Sequence, residues 1–129
     1  MYRLLVVDDD SQQLAIRKLL LETAGHRVAV AEDAAEARRL LEELHPDAMV
    51  MDLCLPRLKD GLALIRFVDE QRFALKIIVL SGWVEELSDL PEEKLVAAVL
   101  GKPVRSSELL EAISAAVSVP VRSLRSTAS

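Results

Sequence analysis

The sequence predicts an α/β domain in which helices cover both faces of one parallel β-sheet. Five short apolar runs alternate with five longer segments of helical character, and this alternation is typical of parallel α/β folds. The runs show little polar alternation, as expected of strands buried on both faces. A chain of 129 residues fits one domain with a substantial core. We therefore expect a doubly wound, five-stranded parallel sheet flanked by five helices.

Each element follows from its own local pattern. The predicted strands are the β-branched-rich runs Leu4–Val7, Val28–Val30, Ala48–Met51, Ile77–Leu80 and Ala97–Leu100. The predicted helices are Ser11–Ala24, Ala34–Leu44, Leu62–Gln71, a weak segment around Glu85–Leu95, and Ser107–Val117. Gly25 stops the first helix and Asp33 opens the second.

Composition limits the classes of function. The net charge of −5 argues against direct nucleic-acid binding, which needs a clustered basic surface. No apolar run is long enough to span a bilayer. With a single cysteine, Cys54, and no leader-like segment before Leu4, we expect a cytoplasmic protein. Residues 1–118 would form the domain, and residues 119–129 a flexible tail or truncated linker.

Polar side chains follow four of the predicted strands. Asp8 and Asp9 follow the first strand, Asp52 the third, Ser81 the fourth and Lys102 the fifth. Because ligand sites of doubly wound sheets lie beyond the carboxyl ends of the strands, these side chains should meet at one edge. Three carboxylates, a hydroxyl and an ammonium group there predict a site for a hard cation and a phosphoryl group.

The donor set suits Mg²⁺, which takes one or two carboxylates, water and phosphate oxygens. Asp9, Asp52 and, through water, Asp8 would supply them. A carboxylate is also a nucleophile in phosphoryl transfer, and Asp52 stands alone on the central strand. Lys102 and Ser81 would neutralise charge on the phosphoryl oxygens.

Four linked motifs resemble the receiver domain of two-component response regulators. They are VVDDD at the first strand end, MDLCLP at the third, IIVLSG at the fourth and GKPV at the fifth, and the resemblance covers about residues 3–117. It implies a flavodoxin-like sheet with strand order 2-1-3-4-5. It also implies a signalling switch that supports its own phosphorylation and dephosphorylation rather than an enzyme with an external substrate.

The resemblance assigns a role to each site residue. Asp8 and Asp9 become the acidic metal pair, and Asp52 becomes both phosphoacceptor and metal ligand. The Cys54 backbone carbonyl becomes a further ligand, Ser81 the switch hydroxyl and Lys102 the partner lysine. The implied cofactor is Mg²⁺, and the implied phosphodonor is a histidine kinase or histidine phosphotransfer protein. The output is not specified, and homodimer formation is left open.

Several positions depart from the family pattern. The Leu55–Gly61 loop is one residue longer than usual, Val99 replaces an aromatic residue three before the lysine, and Pro91 interrupts the weak fourth helix. Cys54 and Trp83 occupy the positions two beyond acceptor and hydroxyl. Neither side chain orients water well, so we expect slow loss of the phosphoryl group.

The first helix is expected to carry the phosphodonor docking face. On a helical wheel of about 100° per residue, Leu14 and Leu21 lie together, opposite Ile16 and Leu19. We predict that these two leucines point outward.

Two other functions compete with a phosphoacceptor switch. A degenerate receiver would act as an interaction module without phosphorylation, which Val99 and the weak fourth helix favour. A haloacid-dehalogenase-type phosphohydrolase would explain the acidic start of the chain. That enzyme needs an acidic pair downstream of the lysine, and no Asp follows Lys102. Asp10, His26 and His45 are assigned no ligand role.

Overall fold

The computed structural model describes residues 1–118, so the predicted tail, 119–129, lies outside the described residues. The strands are β1 (Arg3–Val7), β2 (Arg27–Ala31), β3 (Ala48–Asp52), β4 (Lys76–Ser81) and β5 (Ala98–Gly101). The α-helices are α1 (Ser11–Thr23), α2 (Ala34–Leu44), α3 (Leu58–Glu70) and α4 (Ser106–Val117). Strands and helices therefore alternate as the sequence predicts, except between β4 and β5.

All five strands pair in parallel, in the order β2-β1-β3-β4-β5. The predicted doubly wound, flavodoxin-like sheet is therefore confirmed. β3 lies at the centre, with Val7 of β1 opposite Met51 and Leu80 of β4 opposite Asp52. This register brings the ends of β1, β3 and β4 to one edge.

The core consists of two layers, one on each face of the sheet. Alternate strand residues contribute to opposite layers: Met49 and Ile77 belong to one, and Val50 and Ile78 to the other. α2 and α3 cover the first layer, whereas α1 and α4 cover the second. Burial on both faces explains why the strands lack polar alternation.

The described residues contain four α-helices, and the predicted fifth one is wrong. The segment between β4 and β5 forms two 3₁₀-helices, Val84–Leu87 and Pro91–Leu95. Pro91 has no N–H, and its ring keeps the preceding Leu90 extended, at φ −97° and ψ 148°. A continuous helix cannot cross this point. No helix within residues 1–118 is long and apolar enough to cross a membrane.

An ion pair attaches the second 3₁₀-helix to α3. Arg66 donates from its guanidinium to Glu92 at 2.5 Å, and the Glu92 side chain is only 8% exposed. Arg66 lowers the pKa of Glu92, mainly by hydrogen bonding to its charged form. The segment that replaces a helix is therefore tied to its neighbour.

α1 presents the face opposite to the predicted one. Leu14 and Leu21 are buried, at 3% and 0% exposed, whereas Ile16 and Leu19 are 60% and 68% exposed. The buried stripe also contains Arg17, whose side chain is 11% exposed. A charged residue in this stripe made the other face look more apolar, so the prediction for Leu14 and Leu21 was wrong.

α3 begins at Leu58, four residues before the predicted start, and includes Gly61 in its first turn. A Cβ atom on Gly61 would lie 1.7 Å from the carbonyl oxygen of Leu53. Because Leu53 directly follows Asp52, this close approach fixes the loop that leaves β3. Leu55–Pro56 in this loop and Lys102–Pro103 after β5 are both cis peptide bonds.

Candidate functional site

The predicted site residues meet at the carboxyl edge of the sheet. Asp8 follows β1, whereas Asp52 and Ser81 end β3 and β4. Gly101 pairs with Ser81, so Lys102 leaves β5 beside the end of β4. Its side chain extends across β4 to reach Asp52 on the central strand. The strand ends therefore bring together groups that lie far apart in the sequence.

Asp8, Asp9 and Asp52 form an acidic cluster. One carboxylate oxygen from each residue lies within 4.8 Å of the others. Asp8 is buried and Asp9 is exposed. Desolvation raises the pKa of Asp9, and the nearby Asp8 carboxylate raises it further. Clustered carboxylates of this kind suit a hard cation that prefers oxygen ligands.

Both carboxylate oxygens of Asp52 accept hydrogen bonds. Oδ2 accepts from the Lys102 ammonium at 2.7 Å, and Oδ1 accepts from the Cys54 backbone N–H at 3.2 Å. The Asp52 side chain is 14% exposed and that of Lys102 is 32% exposed. Asp52 is thus held in place by the loop and by Lys102 and remains partly exposed to solvent.

Within residues 1–118, the Ser81 hydroxyl has its partners in the segment that follows β4. It donates to the Trp83 carbonyl oxygen at 2.8 Å and accepts from the Trp83 N–H at 3.1 Å. A Glu86 carboxylate oxygen lies 3.3 Å away. The hydroxyl has only one proton, and the Trp83 carbonyl oxygen, at the shorter distance, is a better acceptor for it than the Glu86 carboxylate. Ser81 is thereby linked to the first 3₁₀-helix.

Sequence reasoning missed two residues at this edge. Glu86 places a carboxylate beside the Ser81 hydroxyl, and Arg17 pairs with Asp8 at 2.5 Å. Nothing in the local pattern around Glu86 singles it out. Arg17 carried a readable signal, because it lies three residues from Leu14 and four from Leu21, on the same helical face.

Three further side chains near the site are those of Cys54, Trp83 and Asp10. Burial raises the pKa of the half-buried Cys54 thiol, and the Glu86 and Asp52 carboxylates raise it further. The thiol is therefore a poor nucleophile. Trp83 is 66% exposed. The Asp10 carboxylate caps α1 by accepting from two backbone N–H groups.

A parallel sheet of this strand order, with its acidic cluster at the carboxyl edge, has the architecture of a two-component signalling domain. The chain belongs to the response regulator receiver domain family, whose sequence profile matches residues 4–114. The resemblance seen in the four motifs is therefore confirmed.

Individual relatives agree with this assignment. The virulence transcriptional regulatory protein PhoP of Salmonella typhimurium strain LT2 is 40% identical over 93 residues, which are 70% of this chain and 41% of PhoP. The chain thus spans about two fifths of that relative's length. Among solved structures, a receiver domain protein from Clostridium thermocellum superposes with a TM-score of 0.83 at 28% identity, covering 92% of this chain and 95% of that one.

A second structural neighbour was solved with ligands. The response regulator TrrA from Thermotoga maritima, in complex with Mg²⁺-BeF, gives a TM-score of 0.80 at 26% identity. The similarity covers 89% of this chain and 98% of that one.

Proposed function

We propose that this domain is a phosphoacceptor switch in which Asp52 receives a phosphoryl group from a phosphohistidine. The donor would be a histidine kinase or a histidine phosphotransfer protein. The contact between the Asp52 carboxylate and the Lys102 ammonium, 2.7 Å at the acidic cluster, is the observation that carries the proposal. It combines a partly exposed nucleophile with a positive charge beside it.

The cluster also fits Mg²⁺, because its three side chains offer only hard oxygen ligands. Asp8, Asp9 and Asp52 would hold the ion together with the Cys54 backbone carbonyl, in the loop whose N–H contacts Asp52. When bound, Mg²⁺ would supply positive charge that offsets repulsion between the carboxylates and an incoming phosphoryl group. The Mg²⁺-BeF complex of TrrA supports this part of the proposal.

The chain's own residues would carry the transfer. An Asp52 carboxylate oxygen attacks phosphorus, so an O–P bond forms while the N–P bond of the donor breaks. The electron pair of that bond returns to the donor imidazole. Lys102 offsets negative charge as the acyl phosphate forms. The donor is left dephosphorylated, and attack of water on the acyl phosphate releases inorganic phosphate and resets the domain.

Ser81 would couple phosphorylation to the surface. To donate to a phosphoryl oxygen, the hydroxyl must leave the Trp83 carbonyl, because it has one proton. That change removes a contact that orders the segment Trp83–Leu87. The surface that follows β4 therefore changes when Asp52 is modified.

The phosphodonor would dock on the exposed face of α1. Ile16 and Leu19 are large apolar side chains that point to solvent there. A groove beside them runs from α1 to the start of α4 and is lined by Ile16, Arg17 and Lys102. The groove therefore connects Lys102 with this face of α1.

We further propose a cytoplasmic location, which suits the free thiol of Cys54.

Acetyl phosphate with Mg²⁺ tests the acceptor directly. Intact-protein mass spectrometry should show one added phosphoryl group on the wild-type chain and none on Asp52→Asn, which keeps the side-chain shape. Asp10→Asn is the matched control, since it removes a neighbouring carboxylate with no proposed ligand role and should label normally. Equal labelling of Asp52→Asn would refute the acceptor assignment. A folded wild-type chain that takes up no phosphate would instead favour an interaction module.

A further inference from the structure

Asp8 is the most deeply buried of the three carboxylates, and both of its oxygens accept hydrogen bonds. Its side chain is 2% exposed. Oδ1 accepts from the Asp10 backbone N–H at 2.9 Å, and Oδ2 accepts from the Arg17 guanidinium at 2.5 Å. The carboxylate most sheltered from water therefore already has a cation as its partner.

Arg17 is itself nearly buried, which makes this pair unlike a surface ion pair. Its side chain is 11% exposed, and it lies in the stripe of α1 that faces the sheet, between Leu14 and Leu21. An arginine at a core-facing position pays a desolvation cost that only a well-placed partner offsets. Solvent and salt screen such a pair poorly. The attraction between Arg17 and Asp8 is therefore weakened less than that of an exposed pair.

The cluster has two resident cations with different placements. Lys102 pairs with Asp52 and is 32% exposed, so it can move with the incoming phosphoryl group. Arg17 pairs with Asp8 from the core side, where the helix fixes its position. Within residues 1–118, Asp9 makes no salt bridge. The site thus has a partly exposed, movable cation paired with Asp52 and a nearly buried cation paired with Asp8.

We propose that Arg17 is a built-in counter-ion that competes with Mg²⁺ for the acidic cluster. It stabilises Asp8 when no metal ion is bound and weakens Mg²⁺ binding, by occupying Oδ2 and by repelling a second cation. This inference rests on the proposed function, because it takes the cluster to be a Mg²⁺ site. Arg17 is a positioning residue here, since it acts through Asp8.

Removing the guanidinium should then have two opposite effects. Without Mg²⁺, the buried Asp8 loses its partner beside two other carboxylates, so the fold becomes less stable. With Mg²⁺, the cluster presents one more uncompensated negative charge. We expect the dissociation constant for Mg²⁺ to fall about tenfold, from Coulomb attraction to a divalent ion.

Calorimetric titration of the full chain with MgCl₂ tests the affinity. Arg17→Met keeps the apolar stem of the side chain and should bind about tenfold more tightly. Lys18→Met is the matched control, because it removes the same charge from the neighbouring, exposed position on α1, and it should change the affinity by less than about twofold. Equal Mg²⁺ affinities of wild type and Arg17→Met would overturn the inference while leaving the proposed function intact.

Thermal unfolding gives a second readout that does not depend on phosphorylation. Arg17→Met should melt below wild type in EDTA, and saturating Mg²⁺ should raise its melting temperature more than that of wild type, because tighter binding stabilises the native state more. A variant that folds only in Mg²⁺ would support the inference. Equal Mg²⁺-induced shifts in both proteins would contradict it.

A measurement on the unmodified chain covers the case in which Arg17→Met does not fold. The guanidinium ¹⁵N resonances of Arg17 should shift as Mg²⁺ is added, since Asp8 changes partner, and unchanged resonances at saturation would overturn the inference. Mg²⁺ binding by Arg17→Met but not by wild type would support it. If neither protein binds Mg²⁺, the metal site of the proposed function is wrong and the inference fails with it.

Discussion

The close approach of α3 to the loop after Asp52 makes Gly61→Ala a severe test of the packing. Alanine normally stabilises a helix interior relative to glycine by about 0.5–1 kcal/mol. Here the added Cβ would lie 1.7 Å from the Leu53 carbonyl oxygen, where real contacts are not closer than 3.0 Å. Helix and loop must separate by roughly 1 Å or more, and such overpacking costs about 3 kcal/mol. We therefore expect net destabilisation despite the better helix former.

Urea unfolding followed by circular dichroism measures the loss of unfolding free energy in Gly61→Ala, and two other glycines supply graded controls. Gly82→Ala meets nothing within 4 Å and should change the free energy of unfolding by less than about 0.5 kcal/mol. Gly101→Ala meets a Val84 methyl at 3.2 Å, which can move, and should lie between the two. The melting temperature of Gly61→Ala should fall on the order of 10 °C. Stability equal to wild type would refute the close approach.

Three further outcomes are expected. Leu19→Asp should slow phosphotransfer from the cognate donor on the order of tenfold and leave uptake from acetyl phosphate unchanged, whereas equal losses in both assays would exclude docking at this face. Burial lowers the pKa of Lys76, whose ammonium has no hydrogen-bond partner in the described residues, so Lys76→Met should raise the free energy of unfolding at pH 7 by about 1 kcal/mol. Between the lowered pKa of folded Lys76 and pH 10.5, the unfolded state binds more protons than the native state, so wild-type stability should rise with pH. The stability that Lys76→Met gains over wild type should shrink over the same pH range. An equal gain in the exposed control Lys94→Met would point to net charge instead. The phosphorylated domain should be long-lived, and Cys54→Asn combined with Trp83→Glu should speed phosphate loss about tenfold or more, measured as the decay of the labelled mass; a short wild-type lifetime unchanged in the double variant would show that other groups position the water.

The meeting of the site side chains was predictable because the carboxyl ends of parallel strands lie at one edge of the sheet. Once the five apolar runs are read as parallel strands, the residues that follow them must converge, whatever their separation in sequence. Asp52 and Lys102 are 50 positions apart, yet they form a 2.7 Å contact. The convergence of these side chains therefore follows from short local patterns, whereas the order of the strands was implied by the resemblance of the four motifs to receiver domains.

The phase of α1 was not predictable from hydrophobicity, because its buried stripe contains a charge that a distant residue compensates. A helical wheel counts Arg17 as polar and cannot show that Asp8 neutralises it. The conformation between β4 and β5 was only partly predictable. Pro91 signals a break, but the two 3₁₀-helices depend on tertiary contacts such as the pair between Arg66 and Glu92.

The division of this segment into two short turns limits how far a disturbance can spread. The hydrogen bonds of a long helix form cooperatively, so a displacement at one end moves the whole helix, whereas separate single turns can rearrange independently. Pro91 leaves a gap in the chain of backbone hydrogen bonds, and Glu92 fastens the far turn to α3. A rearrangement that starts at Ser81 should therefore be confined to the first 3₁₀-helix and not extend past Pro91. A protein that senses the state of this domain would have to touch the near turn itself, where the indole of Trp83 projects into solvent.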